Sequence, residues 1–431
     1  VNTVNYNGTT QTCKTTTYHH LTVGNSSTFT CATTSILGDL TKSGLGSWVL
    51  TSTLNIVGNL VGTAGSITTG AFAFTVNGTT TITGDGNFHG MTLNLSSNTG
   101  AKTFVGLVTV TSASSGVGVL SGASTNIVFQ NGITVTSYAG SGGIGGNLNL
   151  SGTSTFTGDQ TITIIDSTGV PGLTTIVVSG GTTLNTSGTN KTINMNSATV
   201  TGTLVNGSGV TLSSSSTTAS AYTINGTFTN NGTLTLSGST TNVVLAGAGT
   251  FTNGTNSTLN IASGSPSVTT FTTSASGNTV NYNGAAQTCR NVSYANLSFA
   301  GSGAKTCAVT SISGNLTMSG TASWTIDADL TVSGNIIRTA GTLGNPSSPF
   351  KIYLAGDLSL SSTDGFGGSN LTVEFNGSNS QTITQNATPS TNTSLFVINK
   401  TNNSDTVTLA TNFVISNVFT VTKGTFSQGA T

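Results

Sequence analysis

Charge is what this sequence most lacks. Asp, Glu, Lys and Arg together make up 5% of its 431 residues, against about 25% in an average soluble domain. Ten basic residues balance ten acidic ones, and Glu374 is the only glutamate. A balance this sparse argues against nucleic-acid binding, which needs clustered Lys and Arg facing phosphate, and against a polybasic membrane patch. It also removes the repulsion that keeps copies of a chain apart, so self-association is favoured. The helix formers expected on exposed turns are scarce. No apolar run approaches the roughly 18 residues of a membrane-spanning helix. The chain opens at Val1 on strand-like sequence with no secretion signal, as expected of a mature exported form or a fragment of a longer protein.

Gly, Ser, Thr and Asn fill most of the chain. Thr and Val suit pleated strands, because branched side chains pack well there. The apolar fraction of 34% is low enough to raise disorder as an alternative. Disorder, however, goes with high net charge and aperiodic apolar residues, and here the formal charge is zero and Leu, Val, Ile and Phe recur regularly.

Repeats occur on two scales. Residues 4–65 align without a gap on residues 280–341, with 30 of 62 positions identical, so this segment is duplicated. Cys13, Tyr18, Leu21, Cys31, Trp48 and Gly58 return as Cys289, Tyr294, Leu297, Cys307, Trp324 and Gly334. The domain division expected from this is a first long unit over 1–276, with a Cys/Trp module at 1–70 followed by a β-repeat region, and an incomplete second unit over 277–431. The short scale is a Gly-Asn/Asp-Leu/Ile step, seen at Gly38-Asp39-Leu40, Gly58-Asn59-Leu60, Gly314-Asn315-Leu316, Gly334-Asn335-Ile336 and Gly356-Asp357-Leu358. Alternating runs such as Thr233-Leu234-Thr235-Leu236 lie between such steps and send one set of side chains inward. Gly and Asn are expected to supply positive-φ turns.

A coil of about 20 residues with short strands and tight turns predicts an all-β fold, a β-solenoid or parallel β-helix whose stacked coils share one narrow core. Tandem β-sandwich domains are the alternative, but they should repeat near 100 residues or so, and no such period is present. At Asn5-Tyr6-Asn7-Gly8, the Gly-Asn-Leu-Thr steps and the run from Asn225 to Leu234, the sequence resembles the β-strand-repeat surface proteins of bacteria and archaea. That group includes adhesins, autotransporter passengers and filamentous-haemagglutinin-like rods. The resemblance implies secretion, a β-rich rod and a role at the cell exterior, without naming a ligand.

Cys13 and Cys31 are 18 residues apart, as are Cys289 and Cys307. With one coil between them, each pair is expected to sit on adjacent coils, about 4.8 Å apart, within disulfide reach; intersubunit pairing is the alternative. Disulfides point to an oxidising, exported location. His19-His20 and His89 are the only histidines, expected in exposed loops, and the second copy holds Ala295-Asn296 in place of the pair. Trp48 and Trp324 are expected as core or interface anchors, with a sugar-stacking platform as the alternative. Asp327 and Asp329, and Asp159 and Asp166, lack a nearby Arg and read as solvated turn residues, although Asp327-Ala328-Asp329 has the makings of a Ca²⁺ loop. Asn-x-Ser/Thr sequons at Asn7, Asn25, Asn77, Asn225, Asn296, Asn315 and Asn399 permit glycosylation.

No catalytic residue, metal site or cofactor is expected, and the chain is not expected to be an enzyme. The expected function is a structural subunit of an extracellular filament, sheath or surface layer, self-assembling through β-rich contacts. A cell-surface adhesin for glycans or other cells is the alternative. The expected partners are copies of the chain itself, then surface glycans, with no nucleic acid and no membrane-spanning segment. Ice binding, suggested by Thr-x-Thr runs, is not expected, because coil lengths vary from 18 to 23 residues.

Overall fold

The computed structural model describes the chain except for residues 1, 84–90, 96–101, 113–117, 122–125, 138–147, 157–159, 166–171, 179–180, 188–190, 215–219, 238–242, 263, 362–366, 386–390 and 430–431. The fold is all-β, a β-solenoid of parallel coils about 21 residues apart. Parallel, in-register stacking excludes the sandwich alternative, whose sheets are antiparallel. The chain divides into two compact units, Val1–Ser215 with Ala221–Gly232, and Ser216–Ser220 with Thr233–Thr431. The first copy of the duplicated segment lies in the first unit and the second copy in the second.

In the first unit a coil takes three strands. Leu40–Lys42, Ser47–Leu50 and Leu54–Ile56 lie beneath Leu60–Gly62, Gly65–Thr68 and Phe74–Val76. Every second residue points inward, so Leu40, Trp48, Leu54 and Ile56 are fully buried. Each such side chain contributes about 1.5–3 kcal/mol on burial, and stacking provides that burial, since one coil has nothing above or below it. Aromatic side chains continue from coil to coil, as where Phe104 stacks on Phe129 at 5.4 Å.

Leu21, Leu40, Leu60, Thr80, Val108 and Ile133 stand one above another, so the coils between them take 19, 20, 20, 28 and 25 residues. The strands stay in register across these differences in length. A one-residue slip would turn the whole inward set outward, whereas lengthening a corner adds little closure entropy.

The second unit repeats the plan. Leu316–Met318, Thr321–Trp324 and Leu330–Val332 lie beneath Ile336–Arg338, Thr342–Leu343 and Phe350–Leu354. In both units the glycine of the Gly-Asx-Leu step has a different role from the one expected. Positive φ occurs at other glycines, such as Gly65 and Gly341, and at Asn256. The step glycines are required by close approach: a Cβ on Gly58 would meet the Gly38 carbonyl carbon at 2.5 Å, and one on Gly356 the Gly334 oxygen at 2.3 Å.

Candidate functional site: the duplicated disulfide module

The strand Gln11–Thr12 pairs with Phe29–Cys31 one coil on, which brings Cys13 beside Cys31. The two are disulfide-bonded with Cα atoms 4.9 Å apart, and Cys289–Cys307 repeats the bond at 4.8 Å. Each disulfide therefore ties adjacent coils, as the spacing predicts.

A closed tyrosine network holds the loop after the first cysteine. The Lys14 N–H donates to Tyr6 Oη at 3.2 Å, and Tyr18 Oη donates to the Lys14 carbonyl at 2.5 Å. With the Tyr18 proton so committed, Tyr6 must donate across the 3.0 Å contact between the two hydroxyls. In the second copy Arg290 N–H donates to Tyr282, Tyr294 donates to the Arg290 carbonyl, and the two hydroxyls lie 3.1 Å apart. Burial raises the pKa of Tyr18, Tyr282 and Tyr294, so these hydroxyls remain protonated donors. Gln11 and Gln287 close the turn before each cysteine by accepting the Gly8 and Gly284 N–H groups.

Trp48 and Trp324 are both fully buried, each edge-on to a phenylalanine, Phe29 at 5.2 Å and Phe299 at 5.1 Å. They are core anchors, and a sugar platform is excluded by their burial.

The Gly-Asx-Leu steps form a polar ladder along one corner. Asp39 Oδ1 accepts the Asn59 N–H at 2.8 Å, and Asn59 Oδ1 accepts the Thr79 N–H at 2.9 Å. In the second unit Asn296, Asn315, Asn335 and Asp357 each accept an N–H from the next coil, at 2.7–2.8 Å. A short Asn or Asp side chain reaches a neighbouring backbone group readily, and here it does so between coils. His20 stands at the foot of the first ladder, where its Nδ1 accepts the Asp39 N–H at 2.9 Å. It is thus a half-buried strand residue and no loop histidine, filling the place of Asn296, while His19 is exposed. His89, Asp159 and Asp166 lie outside the described residues.

Comparison with known proteins finds no match, whether with a family model, a curated protein or a solved structure. The residues must therefore be read from their own geometry.

The sequons fall in three classes. Asn7, Asn77 and Asn225 are exposed, whereas Asn296, Asn315 and Asn399 are half-buried. Asn25 is fully buried, with its Nδ2 donating to the Ser27 carbonyl. A glycan at Asn25, Asn296 or Asn399 would be carried on the Nδ2 that the fold uses as a donor. Asp327 and Asp329 are exposed, and Asp329 Oδ1 accepts the Lys351 N–H at 2.8 Å.

Sequence reasoning missed a set of buried cations. Lys42 donates to the Gly44 carbonyl, Lys102 to those of Gly70 and Phe72, and Lys305 to Gly284 and Ala285 at 2.8 and 2.6 Å. Arg338 donates to the Gly341 carbonyl at 3.2 Å, and Lys400 to that of Asn379 at 2.6 Å. These side chains cap corner carbonyls, that of Gly284 together with the Ser302 N–H. Burial pushes the Lys42 and Lys305 ammonium groups down to about 8. The signal was parity: Lys42 is two residues from Leu40 and therefore points inward with it.

On the outward side, Thr22, Thr41, Val61, Thr81 and Thr109 stand in one column. Varying coil length therefore does not disturb a threonine ladder as expected. Val61 interrupts this one.

Proposed function

We propose that this chain is a structural subunit of an extracellular filament, sheath or surface layer. The observation that carries the reading is that coil-to-coil ties of two kinds, disulfide and Asx ladder, are built onto one template and then duplicated. Ties between coils resist separation along the stack, which is the direction in which a structural element is loaded. Two disulfides favour an oxidising compartment, and the near absence of charge favours contact between copies. Electron microscopy of surface material from the native organism, labelled with antibody against the chain, is expected to show ordered polymers carrying the label. Label dispersed on unstructured material, with purified chain monomeric at high concentration, would overturn the reading.

A second reading, a cell-surface adhesin, is favoured by one outward cluster in the second unit. There Lys351, Tyr353, Glu374 and Asn399 gather on one face, with Asp329 and Lys423 on the coils to either side.

A further inference from the structure

Outward positions on one face of the second unit form a column of Thr331, Tyr353, Glu374, Val397 and Thr420, one per coil. Beside it Lys351 lies two residues before Tyr353 on the same strand, Phe350–Leu354. The only glutamate of the chain is therefore next to the one described tyrosine that is half-exposed on an outward strand face outside the disulfide modules. Glu374 is nearly buried although it faces outward, and both its oxygens are engaged. Oε2 accepts from Lys351 Nζ at 3.1 Å and Oε1 from Asn399 Nδ2 at 2.8 Å. Lys351 Nζ lies 5.7 Å from the Tyr353 ring centroid, within cation–π range. The Glu374 carboxylate above all, with smaller contributions from the Tyr353 phenol and the Asp329 carboxylate, raises the Lys351 pKa, so the ammonium is held charged.

Such an arrangement is more than a ladder residue needs. A half-exposed ion pair contributes little to stability, and the outward column described above runs on Thr and Val without one. What the cluster supplies is a fixed set of groups around an amphipathic ring: an ammonium, a carboxylate, an amide and the exposed Thr331 hydroxyl. We propose that this cluster is a binding site for a neutral glycan, with the Tyr353 ring stacking on a pyranose face and the Lys351–Glu374–Asn399 set hydrogen-bonding its hydroxyls. The ligand class follows from the charges. Lys351 is already neutralised by Glu374, exposed Asp329 lies beside it, and Lys423, one coil on from Asn399, turns its ammonium to the Thr401 carbonyl, so the cluster itself leaves no cation unpaired for an acidic sugar. A hydroxyl can both donate to the carboxylate and accept from the ammonium, which makes it suited to a pair that is already matched. The aromatic ring adds apolar contact with a polar tip. This inference deepens the adhesive reading and stands whether or not the chain polymerises.

The test is saturation-transfer NMR on the full chain with cellohexaose, mannohexaose, maltohexaose and chitohexaose as separate probes, and a heparin hexasaccharide as the anionic comparison. At least one neutral probe is expected to receive saturation, with Tyr353→Phe binding like the parent. Tyr353→Ala and Glu374→Gln are expected to weaken binding about tenfold, as loss of one stacking or charged contact of roughly 1.4 kcal/mol implies. Unchanged circular dichroism and unfolding midpoints keep these variants interpretable. Silence from all four neutral probes, tighter binding of the heparin fragment, or undiminished binding by Tyr353→Ala overturns the proposal. None of those results bears on polymers at the cell surface, so the structural reading is decided separately.

Discussion

In the first copy of the duplicated module Lys42 and Gly62 face each other across adjacent coils, and in the second copy the matching positions hold Met318 and Arg338. A cation is present both times, capping a corner carbonyl, but it has moved up one coil. The aromatic core shows the same kind of exchange. Phe29 packs on Trp48 in the first copy, whereas in the second its matching position is Lys305 and the partner of Trp324 is Phe299, which matches Val23. Both copies thus keep a cation at the corner and a ring against the tryptophan, but the cation comes from a different coil and the ring from a different strand of the same coil. The conserved quantity is the filled space and the satisfied carbonyl, with the residue at a given position secondary. Core volume and polar satisfaction constrain cores in this way generally.

The largest effect should come from the part that did not move. Trp48→Ala and Trp324→Ala are each expected to destabilise by about 3–5 kcal/mol, the range for emptying a buried aromatic site, read as a shift in the urea midpoint. A loss at one site less than half that at the other would show that the two copies do not share an anchor. Next come the disulfides. Replacing Cys13 and Cys31 with Ser, or Cys289 and Cys307, is expected to cost about 3 kcal/mol for loops of this length. Equal losses from the two pairs would confirm that the tie is duplicated in function as well as in sequence.

The cation exchange permits a sharper test. Gly62→Arg alone places a second buried cation beside Lys42 and should be strongly destabilising. Combined with Lys42→Met it recreates the arrangement of Met318 and Arg338. A double-mutant cycle in urea is expected to give a favourable coupling of about 1–3 kcal/mol; additive effects would mean that the exchange is not compensatory. The same lysine predicts a pH dependence. Its ammonium is pushed from the usual 10.5 down to about 8 by burial, so between those values the unfolded chain binds a proton that the folded chain does not. Stability therefore rises with pH across that window. The raised tyrosine pKa values oppose this above the usual 10.0 of a phenol, where the folded chain is the one that holds the proton. The melting temperature is expected to climb between pH 8 and 10, with a slope that Lys42→Met and Lys305→Met each reduce.

Much of this organisation was legible in the sequence, and what escaped was two-dimensional. The alternation of Leu, Val and Thr and the repeated Gly-Asx-Leu step lie along the chain and specify the coil. The Cys spacing of 18 residues is close to one coil, so each pair could be placed on neighbours. The buried lysines and the Tyr353 cluster depend on which residues stand above one another, and coils of unequal length hide that from any fixed period. Glu374 is 21 residues beyond Tyr353, yet it is its direct neighbour across one coil. His20 was read as a loop residue for the same reason, because its role as an acceptor is set by Asp39 on the next coil. The step glycines mark turns, as the sequence suggests, but close approach between backbones and not a positive φ requires them there.

The Asx ladder gives the smallest effect and the finest version of the comparison. Asp39 in the first copy corresponds to Asn315 in the second, and each uses one side-chain oxygen to accept the N–H of the following coil, both at 2.8 Å. If the acceptor oxygen is all that the position requires, the amide nitrogen of Asn315 is dispensable. Asn315→Asp should then leave the urea midpoint nearly unchanged at neutral pH, whereas Asn315→Ala should lose about 1 kcal/mol, the net value of one such bond. The reciprocal substitution Asp39→Asn should also be nearly silent, since His20 Nδ1 accepts from the backbone of residue 39 and not from its side chain. A large loss for Asn315→Asp, comparable to that for Ala, would mean that a negative charge is not tolerated there. His20→Asn, which supplies at the foot of the ladder the acceptor that Asn296 supplies in the second copy, should, like Asp39→Asn, leave the midpoint nearly unchanged.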